Sequence, residues 1–369
     1  MNSPGQLWIE RIKEITPPHR VRIMNVCGGH ERTITMAGLR AVLPQNIELI
    51  PGPGCPVCVC PEEDIYTAIT LAQQQDIILA TFGDMLRVPV NVPKSHARSL
   101  EQARASGAEI IPVASPLEVV ALAQQQPSRQ IVFFAAGFET TMAPLAAMLA
   151  EGVPENLSLL LSGRKTWPAV EKLLTLSDDS CDALIAPGHV SAVMGADEWH
   201  FVVERFHTPV AVAGFTPLSM LAAIQSVLKQ IINKQALLDN CYAEVVRPDG
   251  NEHAKHLLNR VMQIDDANWR GIGIIPASGF SLKPAYAHHD ARLRFQTLAT
   301  QTRPRVGEMP PGCDCAKVLL GQCQPNACQL YGKACTPQSP IGPCMVSDEG
   351  ACRIWWNGGI RHHARVATA

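Results

Sequence analysis

The sequence predicts an α/β fold: two similar Rossmann-like lobes with parallel sheets, followed by a cysteine-rich C-terminal region. Three observations predict it. Short apolar, β-branched runs alternate with helix-like stretches, several of those runs end in glycine-bearing turns, and from Arg303 onward the chain turns to Pro, Gly and Cys.

Taken in order, the first runs are VRIMNV, IELI, DIILA and AEIIPV, near positions 24, 49, 78 and 111. A second set, QIVFFAA, LSLLL, ALIA and PVAVA, follows near 133, 160, 185 and 211. The recurrence, at roughly thirty residues, fits strand–helix units and an ancient duplication, although no residue-level repeat is evident. It divides the chain into a first lobe over 1–125, a second over 126–300 and a tail over 301–369. The turns NVCGGHE, AAGFETT, APGHVS, VAGFTP and PASGFS each carry a polar residue. Open α/β sheets bind ligands beyond the carboxyl ends of their strands, so these turns are expected around a cleft. SGRKT at 162–166 lacks the G-x4-G-K-[ST] pattern of a phosphate loop and reads as a strand-to-helix turn.

At 369 residues, 47% hydrophobic and 17% charged, the chain can bury a substantial core. A net charge of −2 with 5% aromatics argues against a nucleic-acid surface, which needs a basic face and stacking rings. The first residues carry Glu10, Arg11, Lys13 and Glu14 where an export signal needs an apolar run, and no stretch of eighteen apolar residues follows. A cytoplasmic protein without a membrane span is the expectation. Thirteen cysteines in such a chain read as metal ligands or redox thiols rather than a disulfide framework. Isolated Cys181 and Cys241 read as small buried hydrophobes.

The stretch IPGPGCPVCVCP, residues 50–61, concentrates Cys55, Cys58 and Cys60 on a stiff loop. Pro61 and the acids Glu62, Glu63 and Asp64 announce a helix start. Thiols there are favoured as thiolates by the helix dipole and opposed by the acids. Cys55-x-x-Cys58 alone leaves open a redox pair, half a zinc site or two iron ligands; zinc is disfavoured because no second CxxC exists. Cys27 and His30, at another strand end, can both reach a metal or a reacting group, with Gly28 and Gly29 permitting close backbone approach. In the tail, seven cysteines lie between Cys313 and Cys352 in a segment too poor in apolar residues to fold on burial alone. A metal centre would organise it, and four converging thiolates would suit an iron–sulfur cubane.

CGGHE at Cys27, GPGCPVC at Gly52, GFETT at Gly137, PGHVS at Pro187 and GPCMVSDEGAC at Gly342 together resemble the HypD family of [NiFe] hydrogenase maturation factors, in order and along nearly the whole chain. The resemblance implies two α/β lobes and a C-terminal cysteine-rich iron–sulfur region. Its [4Fe–4S] cluster would be held at the spacing C-x14-C-x6-C-x16-C, which Cys313, Cys328, Cys335 and Cys352 match. It further implies that Cys27, Cys55 and Cys58, accompanied by His30, hold iron or carry thiol redox chemistry. The implied function is a scaffold that assembles and carries an Fe(CN)2CO group with a HypC-type small chaperone and receives cyanide from a HypE-type donor. A stand-alone, cluster-dependent disulfide reductase is the alternative, and a purely structural metal protein a third. Cys60, Cys315 and Cys323 stand as extra thiols, Trp355-Trp356 replaces expected tyrosines, and Cys344 falls inside a strong motif but outside the cluster spacing.

Overall fold

The structure is a computed structural model and describes residues 4–176, 181–304, 307 and 309–361. Its strands are β1 (Val21–Asn25), β2 (Ile47–Pro51), β3 (Ile77–Phe82), β4 (Ile110–Val113), β5 (Gln130–Gly137), β6 (Leu157–Arg164), β7 (Ala183–Pro187), β8 (Val210–Ala213), β9 (Leu238–Asn240), β10 (Met262–Trp269) and β11 (Gly273–Leu282). All eight apolar runs are strands. They form two sheets, one ordered β2-β1-β7-β8-β9 and entirely parallel, the other β10-β11-β6-β5-β3-β4. In the second sheet β6-β5-β3-β4 are parallel, and the β10–β11 hairpin joins antiparallel. The burial of nearly every residue of β5 and β7 is what a sheet covered by helices on both faces requires.

The strands do not divide at residue 125. β1 and β2 share a sheet with β7–β9, while β3–β6 build the other sheet, to which β10 and β11 return. Each lobe is therefore made of discontinuous segments. The expectation of contiguous lobes over 1–125 and 126–300 is corrected accordingly, because periodicity reports how many strands there are and not which ones pair.

PASGFS is also placed differently: it lies within β11 rather than at a strand end. Ala277 adopts a left-handed φ of 49° where the β10–β11 register shifts, and its N–H donates to Asp266 Oδ1 at 3.0 Å. The segment is a bulge, exposed at Pro276 and Ala277 and buried from Ser278 to Phe280, and its glycine serves the strand: a methyl on Gly279 would lie 2.7 Å from Ala267 Cβ.

The tail has little regular structure but a genuine core. Cys315, Val318, Leu319, Cys328, Tyr331, Cys335, Cys344, Met345, Cys352 and Trp355 are buried in one cluster with Cys55, Val57, Cys58 and Cys60. Buried charge stitches this layer to the lobes. Glu62, fully buried at the start of the helix Glu62–Ala72, accepts from Arg270 of the hairpin and from Arg303 of the tail, each at 2.6 Å. Removing one partner leaves a buried carboxylate half paired. Arg270→Met is expected to lower unfolding stability by about 3–5 kcal/mol in urea titration; a change below 1 kcal/mol would show that the triad does not hold the layers together.

Candidate functional site

Four adjacent strand ends build the site. Because β2, β1, β7 and β8 are parallel neighbours, the residues that follow them emerge side by side: Cys55 after β2, Cys27 and His30 after β1, His189 after β7 and Phe215 after β8. Cys27 is the residue before the helix Gly28–Met36 and is 3% exposed. Its sulfur accepts from the backbone N–H groups of His30 and Gly29 and lies 3.6 Å from His189 Nδ1. Burial pushes the Cys27 thiol up to about 12 against these donors.

Both imidazoles are held neutral by loss of water, His30 fully buried and His189 half-buried. Burial lowers His30 to about 4 and His189 likewise to about 4. His30 Nε2 donates to the Ala213 carbonyl at 2.9 Å, which places the proton on Nε2 and leaves Nδ1 as a lone pair without a protein partner. Phe215 lies against both rings, 5.1 Å from His30 and 5.3 Å from His189.

Close backbone approach joins this loop to the CPVC loop. Gly28 N–H donates to the Gly54 carbonyl at 3.1 Å, and a methyl on Gly54 would sit 2.4 Å from the Cys27 nitrogen. Cys55 and Cys58 form a disulfide with Cα atoms 5.3 Å apart, on the short helix Pro56–Val59. Cys58 N–H donates to Cys55 Sγ at 3.2 Å. Cys60 is not activated by its place before the next helix. Its sulfur lies 3.3 Å from Ser162 Oγ, which donates to Asp64, and burial and the Asp64 charge push the thiol up to about 12.

The tail closes over both loops. The turn Pro343–Met345, holding Cys344, packs on the CPVC helix, and the helix Ala351–Asn357 packs on the CGGHE helix. A methyl on Gly28 would collide with Glu349 at 2.5 Å. Set at this rim beside Asp84, the Glu349 carboxyl is raised to about 7, chiefly by its loss of water. Trp355 Nε1 donates to Glu31 Oε1 at 2.6 Å, and Arg40 pairs with Glu31 at 2.9 Å while stacking over the Trp355 ring. Burial alone would raise Glu31, but the Arg40 charge and the donors Asn25 and Trp355 hold its carboxyl below the usual range.

Of the tail cysteines, Cys315, Cys344 and Cys352 converge, their sulfurs all within 4.8 Å of one another. Cys313 Sγ is 3.3 Å from Cys315 Sγ. Thus Cys313 and Cys352, two of the four ligands expected from spacing, border the pair Cys315 and Cys344, which spacing set aside. Cys328 and Cys335 share the same buried core, and Cys335 Sγ accepts from Ile341 N–H at 3.3 Å. This enclosed, all-thiol donor set has the chemistry that an iron–sulfur cubane requires. Among the remaining cysteines, Cys181 is buried at 8% exposure and Cys241 contacts Asp239 Oδ2 at 3.6 Å.

The sequence profile of HypD, described as the Hydrogenase formation hypA family, matches residues 5–359. The chain belongs to the HypD family. It is 40% identical to "Hydrogenase maturation factor HypD" of Escherichia coli over 366 residues, covering 96% of this chain and 95% of that protein. Identity is also 40% to HypD2 of Bradyrhizobium diazoefficiens, over 95% of this chain and 93% of that one. HypD of Azotobacter vinelandii is 38% identical over 99% and 96% respectively. No helix among the described residues is long and apolar enough to cross a membrane.

His189 in PGHVS and Phe215 in VAGFTP join the site although neither stands out in the sequence. Each sits in a glycine-bearing strand-end turn; what was missing was the β1–β7–β8 adjacency that brings them to Cys27. GFETT has a local role: Glu139, fully buried, accepts from Thr166 N–H and Oγ1, both at 2.7 Å, and burial with the nearby Glu198 charge raises it to about 7.

The two histidines set a pH dependence. Unfolded, each takes up a proton near its ordinary value of 6.5; folded, only near 4. The unfolded state therefore binds more protons as pH falls from 6.5 towards 4, and stability is lost across that window. A His30→Gln, His189→Gln double variant is expected to lose less stability between pH 6.5 and 4.5 than the parent, read as the pH slope of urea unfolding free energy. Parallel slopes would contradict the buried neutral assignment.

Proposed function

We propose that the protein is a [NiFe] hydrogenase maturation factor that assembles and carries an Fe(CN)2CO group at Cys27, drawing electrons through the thiols of the tail. The observation that carries this reading is the convergence of Cys27, two neutral imidazoles and the Cys55–Cys58 disulfide beneath a polythiol tail. Low-spin iron with π-accepting diatomic ligands favours soft, electron-rich partners, and thiolate is the softest the chain offers. As iron arrives, Cys27 gives up its proton and Gly29 and His30 N–H groups hold the resulting negative sulfur. His30 Nδ1 offers a neutral lone pair without a protein partner, and His189 Nδ1 stands 3.6 Å from the Cys27 sulfur. The glycine-tight walls keep water from the cargo.

The thiol pairs account for the reducing steps. The Cys344 turn rests on the CPVC helix, so a Cys344 thiolate can attack the Cys55–Cys58 disulfide. Cys315 then closes a bond to Cys344, releasing Cys55 and Cys58 as thiols; two electrons and two protons have moved to the cleft. Tail cysteines, with Cys313, Cys328, Cys335 and Cys352 matching the ligand spacing, would hold a [4Fe–4S] cluster, which would supply one-electron chemistry from an external carrier. Cys313 and Cys352, beside Cys315 and Cys344, border that relay. Phe215 and Leu218, exposed by 36% and 43%, give the cleft mouth an apolar rim on which a small HypC-type chaperone would dock, with a HypE-type cyanide donor visiting the same mouth.

A stand-alone disulfide reductase is favoured by one observation, the Cys55–Cys58 bond against the Cys344 turn. It should reduce a generic disulfide without any partner, whereas the scaffold should not. Protein purified with its small partner is expected to give cyanide and carbonyl infrared bands, and their reproducible absence would favour the reductase. Cys27→Ala is expected to abolish hydrogenase maturation while retaining the fold and the iron–sulfur content. A normally matured hydrogenase from that variant would refute the ligand assignment.

A further inference from the structure

Among the described residues, Asn326 is the side chain that keeps both of its polar atoms, Nδ2 and Oδ1, buried and without a hydrogen bond. It is 1% exposed. Leaving such groups unpaired is costly, and buried polar atoms are otherwise almost always satisfied. Asparagine in a short turn ordinarily spends its side chain on nearby backbone. Asn326 does not, although it sits in the turn Pro325–Ala327.

Thiols flank that turn in sequence and sit on the helix it packs against. Cys323 precedes Asn326 by three residues and Cys328 follows by two, and the turn packs on the helix Ala351–Asn357 that carries Cys352. Neutral thiols are poor acceptors, but the sulfurs of an iron–sulfur cluster are anionic and accept N–H donors well. We propose that the Asn326 side-chain amide donates a hydrogen bond to a sulfur of the cluster held in this core, and thereby raises its reduction potential. The inference rests on the reading of the tail as a cluster site. Its physical basis is that reduction adds negative charge to the cluster, so a donor aimed at sulfur stabilises the reduced state more than the oxidised one. Asn326 is then a positioning residue for electron flow and touches no cargo.

The full chain, reconstituted anaerobically with iron and sulfide, tests this in two ways. In an EPR-monitored redox titration, Asn326→Leu is expected to keep the parental iron and sulfide content while its midpoint potential shifts downward, and Asn326→Thr, which retains a donor, to shift less. With asparagine labelled by 15N in its side chain, pulsed EPR of the reduced parent protein is expected to show a 15N coupling that Asn326→Leu lacks. An unchanged midpoint in the leucine variant, or no 15N coupling in the parent, overturns the proposal; the second is also the result if only a buried water satisfies the amide. Should the leucine variant fail to hold a cluster, the labelled parent decides alone. A parent that takes up no iron or sulfide overturns the cluster reading itself, a different failure from a cluster that ignores Asn326.

Discussion

The structure depends on the meeting of two glycine loops. Gly28 donates to Gly54, and neither position has room for a methyl: one faces Glu349, the other the Cys27 backbone. This contact brings the strand-end loops of β1 and β2 to main-chain distance, so that Cys27 and the CPVC segment form one wall. Because Glu349 occupies the other side of Gly28, the same contact sets how closely the tail can approach. A side chain at either glycine would open the cleft and lift its cover together.

Buried ion pairs then fix the orientation of that cover. Glu62 holds Arg270 and Arg303, while Glu31 holds Arg40 and the Trp355 indole. Such pairs add little net stability over apolar packing, but misaligned partners would leave a bare charge in the core. They therefore select one docking geometry over others that bury similar area. The selection matters most in the tail, where little regular secondary structure is present to define position. Trp355, where a tyrosine was expected, is suited to this duty, since its N–H is a donor only and matches a carboxylate acceptor.

Much of the fold was legible because the eight strands, the edge strand β4 apart, are buried on both faces and read as unbroken apolar runs. β9, β10 and β11 were not, for the opposite reason. β10 exposes Gln263–Asp266, and β9 is three residues long. Strand pairing was illegible altogether, which is why the lobes interleave where contiguity was expected. In the site, Cys27, Cys55 and Cys58 announced themselves through motif and spacing. His189 required knowing that β7 lies beside β1, and the closeness of Cys315 to Cys344 required a loop closure of nearly thirty residues that periodicity cannot encode. Asn326 left no trace in the sequence, since an orphaned amide is visible only once its neighbours are in place.

Cys27 and Cys60 illustrate how environment assigns roles to thiols that burial treats alike. Each is pushed up to about 12. Around Cys60, burial and the anionic Asp64 outweigh the Ser162 hydroxyl and the more distant Arg164 and Arg270 charges, so the thiol stays protonated and packed. Around Cys27, helix N-terminal N–H groups point at the sulfur and two imidazoles stand neutral beside it. A thiolate there is unfavourable alone yet well accommodated once a soft cation shares the cavity. Since oxidants and stray electrophiles attack the thiolate rather than the thiol, this arrangement keeps Cys27 unreactive while no cation shares its cavity. Under the function proposed above, selectivity would follow from solvation: a hard, strongly hydrated cation gains little from sulfur and cannot repay the proton it displaces, whereas a soft metal centre can.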